Sequence, residues 1–219
     1  EGLHEVYVYV NDSFGNENSS SVTFTIDSIN PSLSITSPSD GANSSDNTLD
    51  LEYIASDTNL GSCWYSDNGG ANTSLVGCAN ITSVTWDEGL HEVYVYANDT
   101  FGNEDSSSVT FTLDTLVPSF SSFDNQEIQY GVAFAYDINA TDLNGIDCFT
   151  VNDTTNFVIN CSGYLGNNSL LSLGTYQLNI TVNDTFGNEN STLLNITVSD
   201  STSPEVILNS PEENYSVDV

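Results

Sequence analysis

The chain repeats itself. Residues Glu1 to Asp27, EGLHEVYVYVNDSFGNENSSSVTFTID, recur almost letter for letter at Glu88 to Asp114, an offset of 87 residues (88 − 1). A more divergent copy, GTYQLNITVNDTFGNENSTLLNITVSD, runs from Gly174 to Asp200, and Asn98 moves to Asn183, an offset of 85 (183 − 98). A period of this size is too long for a solenoid repeat, which cannot bury its own face, and fits the roughly 100 residues of a self-contained sandwich domain. The expected organisation is beads on a string: the last two strands of a module at 1–27, complete modules at 28–114 and 115–200, and the first strand of a further module at 201–219.

Within the repeat, Tyr176, Leu178, Ile180 and Val182 alternate with Gln177, Asn179, Thr181 and Asn183, the period-two pattern of a half-buried strand. Transferred by 85 residues, the pattern places His91, Val93, Val95 and Ala97 inward and Glu92, Tyr94, Tyr96 and Asn98 outward. The clusters Asp99-Thr100-Phe101-Gly102-Asn103 and Asp184-Thr185-Phe186-Gly187-Asn188 are turns, each followed by a Thr/Ser-rich strand with Val109, Phe111 and Leu113 inward in the middle copy. Pro31, Pro118 and Pro204 follow Asp27, Asp114 and Asp200 by four residues and stiffen each junction. Leu49 to Tyr53 and Cys63 to Tyr65 add further strands. About seven short strands per module without helical periodicity predict an all-β immunoglobulin-like sandwich.

The Cys-Trp-Tyr-Ser-Asp-Asn-Gly-Gly-Ala-Asn-Thr-Ser-Leu segment from Cys63 to Leu75, the strand pair around Asn-Asp-Thr-Phe-Gly-Asn-Glu and the Asp-x-x-x-Pro junction resemble the tandem Ig-like repeats of archaeal and bacterial cell-surface proteins. The resemblance spans essentially the whole chain, and the 115–200 module departs from it with Cys148-Phe149-Thr150 in place of Cys-Trp-Tyr. It implies an extracellular scaffold such as a stalk, fibre, surface-layer element or adhesin, and names no ligand.

The four cysteines fall as Cys63 with Cys78 and Cys148 with Cys161, each pair centred on a turn (Asp67 to Gly70, Asn152 to Thr155), so each is expected to close a disulfide across a hairpin. Spacings of 15 and 13 with no adjacent Cys or His supply no zinc ligand set. Disulfides imply an oxidising, extracellular setting. Asn-x-Ser/Thr sequons point the same way. They occur at Asn11, Asn18, Asn43, Asn72, Asn80, Asn98, Asn139, Asn152, Asn160, Asn167, Asn179, Asn183, Asn190, Asn195 and Asn214. With 27 Asn and 53 Ser/Thr in 219 residues, chance gives about 27 × 53/219, roughly 6.5, so 15 is an enrichment and N-linked glycans are expected. For Asn11, Asn98 and Asn183, each before Asp in a turn, an Asx-turn role is the alternative.

Charge bounds the partners. The chain carries 31 acidic residues and no Lys or Arg, which excludes nucleic acid and anionic membranes as binding surfaces and removes Schiff-base and arginine-clamp chemistry. No stretch approaches the roughly 18 apolar residues of a membrane-spanning helix. Such a surface attracts cations. At the module junctions Asp114, Asp142, Asp184 and Glu189 offer hard oxygen ligands from three segments, a calcium set in expectation, with turn formation as the bland alternative. His4 and His91 share one inward module position, which is Tyr176 in the last copy, and read as packing. No histidine sits beside a repeated Ser or Cys nucleophile and no phosphate loop follows a strand, so no enzyme activity is expected.

The leading expectation is a polymeric, glycosylated structural element of an extracellular fibre, stalk or surface layer. The alternative is an adhesin for carbohydrate or a partner surface. Outward Tyr7, Tyr9, Tyr94 and Tyr96 form a candidate contact surface, against packing on Thr110 and Thr112. By the offset of 173 (204 − 31), residues 201–219 match 28–46, so the terminal pieces lack a counterpart of 47–87. This reads as a window from a longer array, or as subunits completing one another by strand addition.

Overall fold

A computed structural model describes residues 1–121 and 123–207. They fall into two compact units, the first made of 1–116 with 186–188 and the second of 117–185 with the residues from 189 onward. Both are all-β.

The first unit begins with a two-stranded hairpin, β1 (Gly2–Asn11) and β2 (Glu17–Ile26), paired antiparallel with Val6 opposite Val22. A seven-stranded module follows: β3 (Ser32–Ser37), β4 (Ala42–Ser44), β5 (Glu52–Ser56), β6 (Leu60–Asp67), β7 (Thr73–Leu75), β8 (Gly89–Asp99) and β9 (Glu104–Leu113). One sheet has the order β4-β9-β8-β6-β7, with β4 parallel to β9, and the other pairs β3 with β5. Alternation along β8 and β9 puts Val93, Val95, Ala97, Val109, Phe111 and Leu113 into the core with Leu51, Tyr53, Ile81 and Trp86, as the period-two pattern requires. Trp86 donates its indole N–H to the Leu49 carbonyl at 2.8 Å, so the largest core side chain leaves no buried donor unpaired.

The hairpin turns follow one design. Asp99 Oδ1 accepts the backbone N–H groups of Phe101 (2.9 Å) and Asn103 (2.8 Å), and Asp12 does the same for Phe14 and Asn16. Gly102 takes the positive φ of 96° that closes the turn. The Asx residue is therefore the aspartate and not the asparagine before it. Asn98 instead accepts the Ser62 N–H across the sheet at 2.9 Å, at the bulge in β6 between Leu60 and Ser62.

Among its described residues the second unit has nine strands where about seven were expected: β10 (Ser119–Phe120), β11 (Gln126–Gln129), β12 (Ala135–Asp137), β13 (Ala140–Thr141), β14 (Ile146–Val151), β15 (Phe157–Ile159), β16 (Tyr164–Asn167), β17 (Gly174–Asp184) and β18 (Glu189–Ser199). The sheet β11-β18-β17-β14 repeats the order β4-β9-β8-β6. The difference is at its edge. Whereas β7 pairs with β6, the corresponding β15 leaves that sheet and joins β12-β16-β15. The core gathers Phe134, Ile138, Phe149, Phe157, Leu165, Leu178, Ile180, Leu194 and Ile196. Gly163 sits where the chain turns past Ile138; at φ +88°, an added Cβ would lie 1.9 Å from the Ile138 carbonyl oxygen. Residues 201–207 form no strand, and the rest of the strand expected at 201–219 lies outside the described residues.

Candidate functional site

The acidic set that the structure assembles within one unit is Asp27, Asp57 and Asp99. One carboxylate oxygen from each lies within 4.8 Å of the others. Asp27 follows β2, Asp57 follows β5 and Asp99 ends β8, so the fold converges three chain segments on one end of the sandwich. Neutral amides hold the group. Asn59 Nδ2 donates to Asp27 Oδ2 (2.8 Å), the Asn59 N–H to Asp57 Oδ1 (2.6 Å), and Asn103 Nδ2 to Asp99 Oδ2 (2.7 Å) and the Asp27 carbonyl (3.1 Å).

Asp99 is buried, and burial alone pushes its carboxyl pKa up. Donors from the Asn103 side chain and from the Asn103 and Phe101 backbone outweigh this and hold it below the ordinary aspartate range. These donors therefore favour the charged form of the Asp99 carboxylate. Two like charges at this spacing repel by roughly 3 kcal/mol at an effective dielectric of about 20. The chain itself supplies no Lys or Arg to compensate this charge.

The expected calcium set was the counterpart one module later. Asp114 matches Asp27 by 87 residues, and Asp142 and Asp184 match Asp57 and Asp99 by 85. Asp114 belongs to the first unit; in the second, Asp184 ends β17 and is buried, Asp142 is half-buried, and Glu189 opens β18 exposed. Glu104, the counterpart of Glu189, is not one of the three clustered carboxylates of the first unit. Applying the same offsets upstream would have identified Asp27, Asp57 and Asp99 in the sequence.

Both cysteine pairs are disulfides. Cys63 on β6 reaches Cys78 in a short 3-10 turn just past β7, across the expected hairpin. Cys148 on β14 reaches Cys161 just beyond β15, and these strands lie in different sheets, so this bridge ties sheet to sheet and not strand to strand. The physical reason is the departure of β15 from the β14 edge.

The outward tyrosines are not equivalent. Tyr94 and Tyr96 are half-buried. Trp64, directly opposite Tyr96 on β6, stacks on it at 5.6 Å, and Tyr96 stacks on Tyr94 at 6.2 Å. Their neighbours on β9 are Ser108 and Ser106, not Thr110 and Thr112, which pair with Glu92 and Leu90. Tyr7 and Tyr9 stack on each other at 6.1 Å and are exposed.

His91 is more than packing. Its Nδ1 lies 2.7 Å from Asp67 Oδ2 and its Nε2 2.8 Å from the Asp87 carbonyl, while the ring stacks on Phe111 at 5.1 Å. In the last copy Tyr176 fills the position and its hydroxyl accepts the Ser172 N–H.

Asn214 lies outside the described residues; none of the other 14 sequon asparagines is buried. The amide nitrogen that would carry a sugar is engaged in three: Asn167 donates to the Ser169 carbonyl, Asn183 to Asp147, and Asn190 to the Pro118 carbonyl. Asn11, Asn18, Asn43, Asn72 and Asn139 are exposed.

No protein-family model and no curated protein matches the chain. Among solved structures it is similar to an I-band fragment of titin, at 12% identity over 78% of this chain and 66% of that one, with a TM-score of 0.50. It is also similar to immunoglobulin domains 1–4 of Sidekick-1, at 15% identity over 89% of this chain and 57% of that one (TM-score 0.48), and to the fibronectin(III)-like modules of Clostridium thermocellum CbhA, at 13% identity over 84% and 100% (TM-score 0.44). The chain thus spans about two thirds of the titin fragment and little more than half of the Sidekick-1 one. At such identities the likeness shows the fold alone, tandem Ig-like β-sandwich domains.

Proposed function

We propose that the chain is a structural segment of an extracellular fibre, stalk or surface layer, in which one β-sandwich module is repeated to give reach and mechanical resistance. The observation that carries this reading is the repetition itself: two sandwiches with the same central strand order, each closed by its own disulfide. A covalent loop within every module limits how far the module opens under load and suits an oxidising exterior. Sequons on exposed strand and loop positions fit a glycan coat that shields an acidic surface.

Calcium is part of the proposal. Asp27, Asp57 and Asp99 supply three hard oxygen ligands where the chain supplies no cation, and a divalent ion would remove their mutual repulsion and tie the hairpin end to the module. Calcium at 100 times its Kd would raise the unfolding free energy by about 2.7 kcal/mol. Asp57→Asn should abolish that rise, and an unfolding curve that millimolar calcium and a chelator leave superimposed would refute the metal reading.

Self-association through the outer tyrosine face completes the proposal. Tyr94→Ser with Tyr96→Ser should leave the module folded and weaken polymer formation in sedimentation. Polymers that form unchanged would reduce these side chains to local packing. The adhesin reading has one observation in its favour, a groove of about 430 Å³ beside the Cys63–Cys78 bridge lined by Trp64, Asn72 and Ser74. Specific signals on a glycan array from a chain that does not polymerise would favour it over the structural reading.

A further inference from the structure

The hairpins β1–β2 and β8–β9 are nearly the same peptide in different surroundings. Residues 1–27 and 88–114 differ at only four positions: Val10/Ala97, Ser13/Thr100, Asn18/Asp105 and Ile26/Leu113. Their registers coincide, His4 facing Phe24 as His91 faces Phe111, and Val6 facing Val22 as Val93 faces Val109. Yet Val93, Val95, Phe111 and Leu113 are at most 1% exposed, whereas Val6, Val8, Phe24 and Ile26 are 43% to 67% exposed. The first set is covered by residues 28–87, chiefly Leu51, Tyr53, Ile81 and Trp86.

The histidines give an independent observation. His91 has both ring nitrogens on acceptors, Asp67 Oδ2 and the Asp87 carbonyl, and both acceptors belong to the covering half. His4 stacks on Phe24 at 5.5 Å in the same way, but its Nε2 is shielded from solvent without a hydrogen-bond partner. A buried imidazole nitrogen left unpaired is costly, and in the twin the same nitrogen is satisfied by the Asp87 carbonyl.

We infer that the inner face of β1–β2 is a docking surface for a half-sandwich of the kind that residues 28–87 form, one that presents Leu, Ile, Tyr and Trp side chains together with a backbone carbonyl at the place of that of Asp87, where it would accept from His4 Nε2. A second copy of the hairpin packed face to face is a poorer fit, because the twin face is closed by Leu51, Tyr53, Ile81 and Trp86 of the covering half and not by another hairpin. The inference concerns what closes this face and stands whether or not the chain builds a fibre.

The test compares the full 219-residue chain with the same chain carrying an added copy of residues 28–87 directly before Glu1, so that Asp87 is followed by Glu1 as it is by Glu88. Amide hydrogen exchange is read at Val6, Val8 and Phe24, with Val93, Val95 and Phe111 as internal standards. In the extended protein, exchange at the first three should slow by at least about a thousand-fold, toward the rate of the standards. Phe24→Asp in the extended protein should restore fast exchange at Val6 and Val8 and leave the standards unchanged, since Phe24 lies outside the 28–114 core. Fast exchange that persists in the extended protein would overturn the inference. So would protection in the unextended chain that rises with its concentration, which would identify a second copy as the occupant.

Discussion

The same substitution made in the two hairpins separates burial from sequence. Phe111 is 1% exposed and packs against His91 at 5.1 Å and Trp86 at 5.2 Å, while Phe24, in the same local sequence, is 44% exposed. Phe111→Ala removes a fully enclosed ring and leaves a cavity that a disulfide-braced sandwich collapses into only partly, a cost of about 3 to 5 kcal/mol. Phe24→Ala opens no cavity in a closed core. It forfeits only partial burial within the hairpin, roughly 1 kcal/mol of local stability, and should not touch the 28–114 module. The assay reports the right module, because both tryptophans, Trp64 and Trp86, lie within it. With a urea slope of about 1.5 kcal/mol/M, Phe111→Ala should lower the fluorescence midpoint by about 2 to 3 M and Phe24→Ala should leave it in place. Equal shifts from the two variants would refute the claim that these twin hairpins occupy different environments.

Three further outcomes are expected. Cys63→Ser with Cys78→Ser, which opens a loop with a sequence separation of 15, should destabilise the first module by about 3 kcal/mol in denaturant unfolding followed by tryptophan fluorescence; an unchanged midpoint would contradict it. Gly163→Ala should unfold or severely weaken the second sandwich, by about 3 kcal/mol or more, because it combines a positive φ with a Cβ placed against the Ile138 carbonyl; circular dichroism melts matching the parent would count against this close approach. The carboxyls of Asp99 and Asp153 are held below the ordinary range, Asp99 by its amide donors against the pull of burial and Asp153 chiefly by the Asn156 side chain. A folded pKa below the unfolded one means that their stabilisation is complete above the unfolded value of about 3.9 and is lost as pH falls through the folded value. Carboxyl carbon titration by NMR should show both midpoints depressed, and midpoints at the unfolded value would refute the assignment.

How much of this was legible in the sequence follows from what alternation reports. Period two tells which face a residue occupies, and it placed Val93, Val95, Phe111 and Leu178 inward correctly. It says nothing of what stands opposite, so the Trp64 stack over Tyr96 and the Asp67 partner of His91 appear only once β6 is seen beside β8. Cysteine spacing pointed to both bridges, but it does not reveal that β15 changes sheets and converts Cys148–Cys161 into a link between them. The turn motif located the loop, and the Asx role offered as an alternative for the asparagine falls to the aspartate after it, because Asn and Asp offer the same side-chain acceptor and only the backbone path selects between them. The members of the Asp27, Asp57 and Asp99 set lie 30 and 42 residues apart (57 − 27 and 99 − 57), and convergence over such separations comes from the sandwich topology and not from any local pattern.

Electron microscopy of the native protein, isolated without reductant, tests the central claim most directly. The account predicts extended filaments or sheets whose density resolves into successive β-sandwiches, one for each repeat of about this chain's period, with extra density at exposed sequons such as Asn43 and Asn72. Discrete globular particles that neither lengthen nor associate, with bare asparagines at those positions, would contradict it.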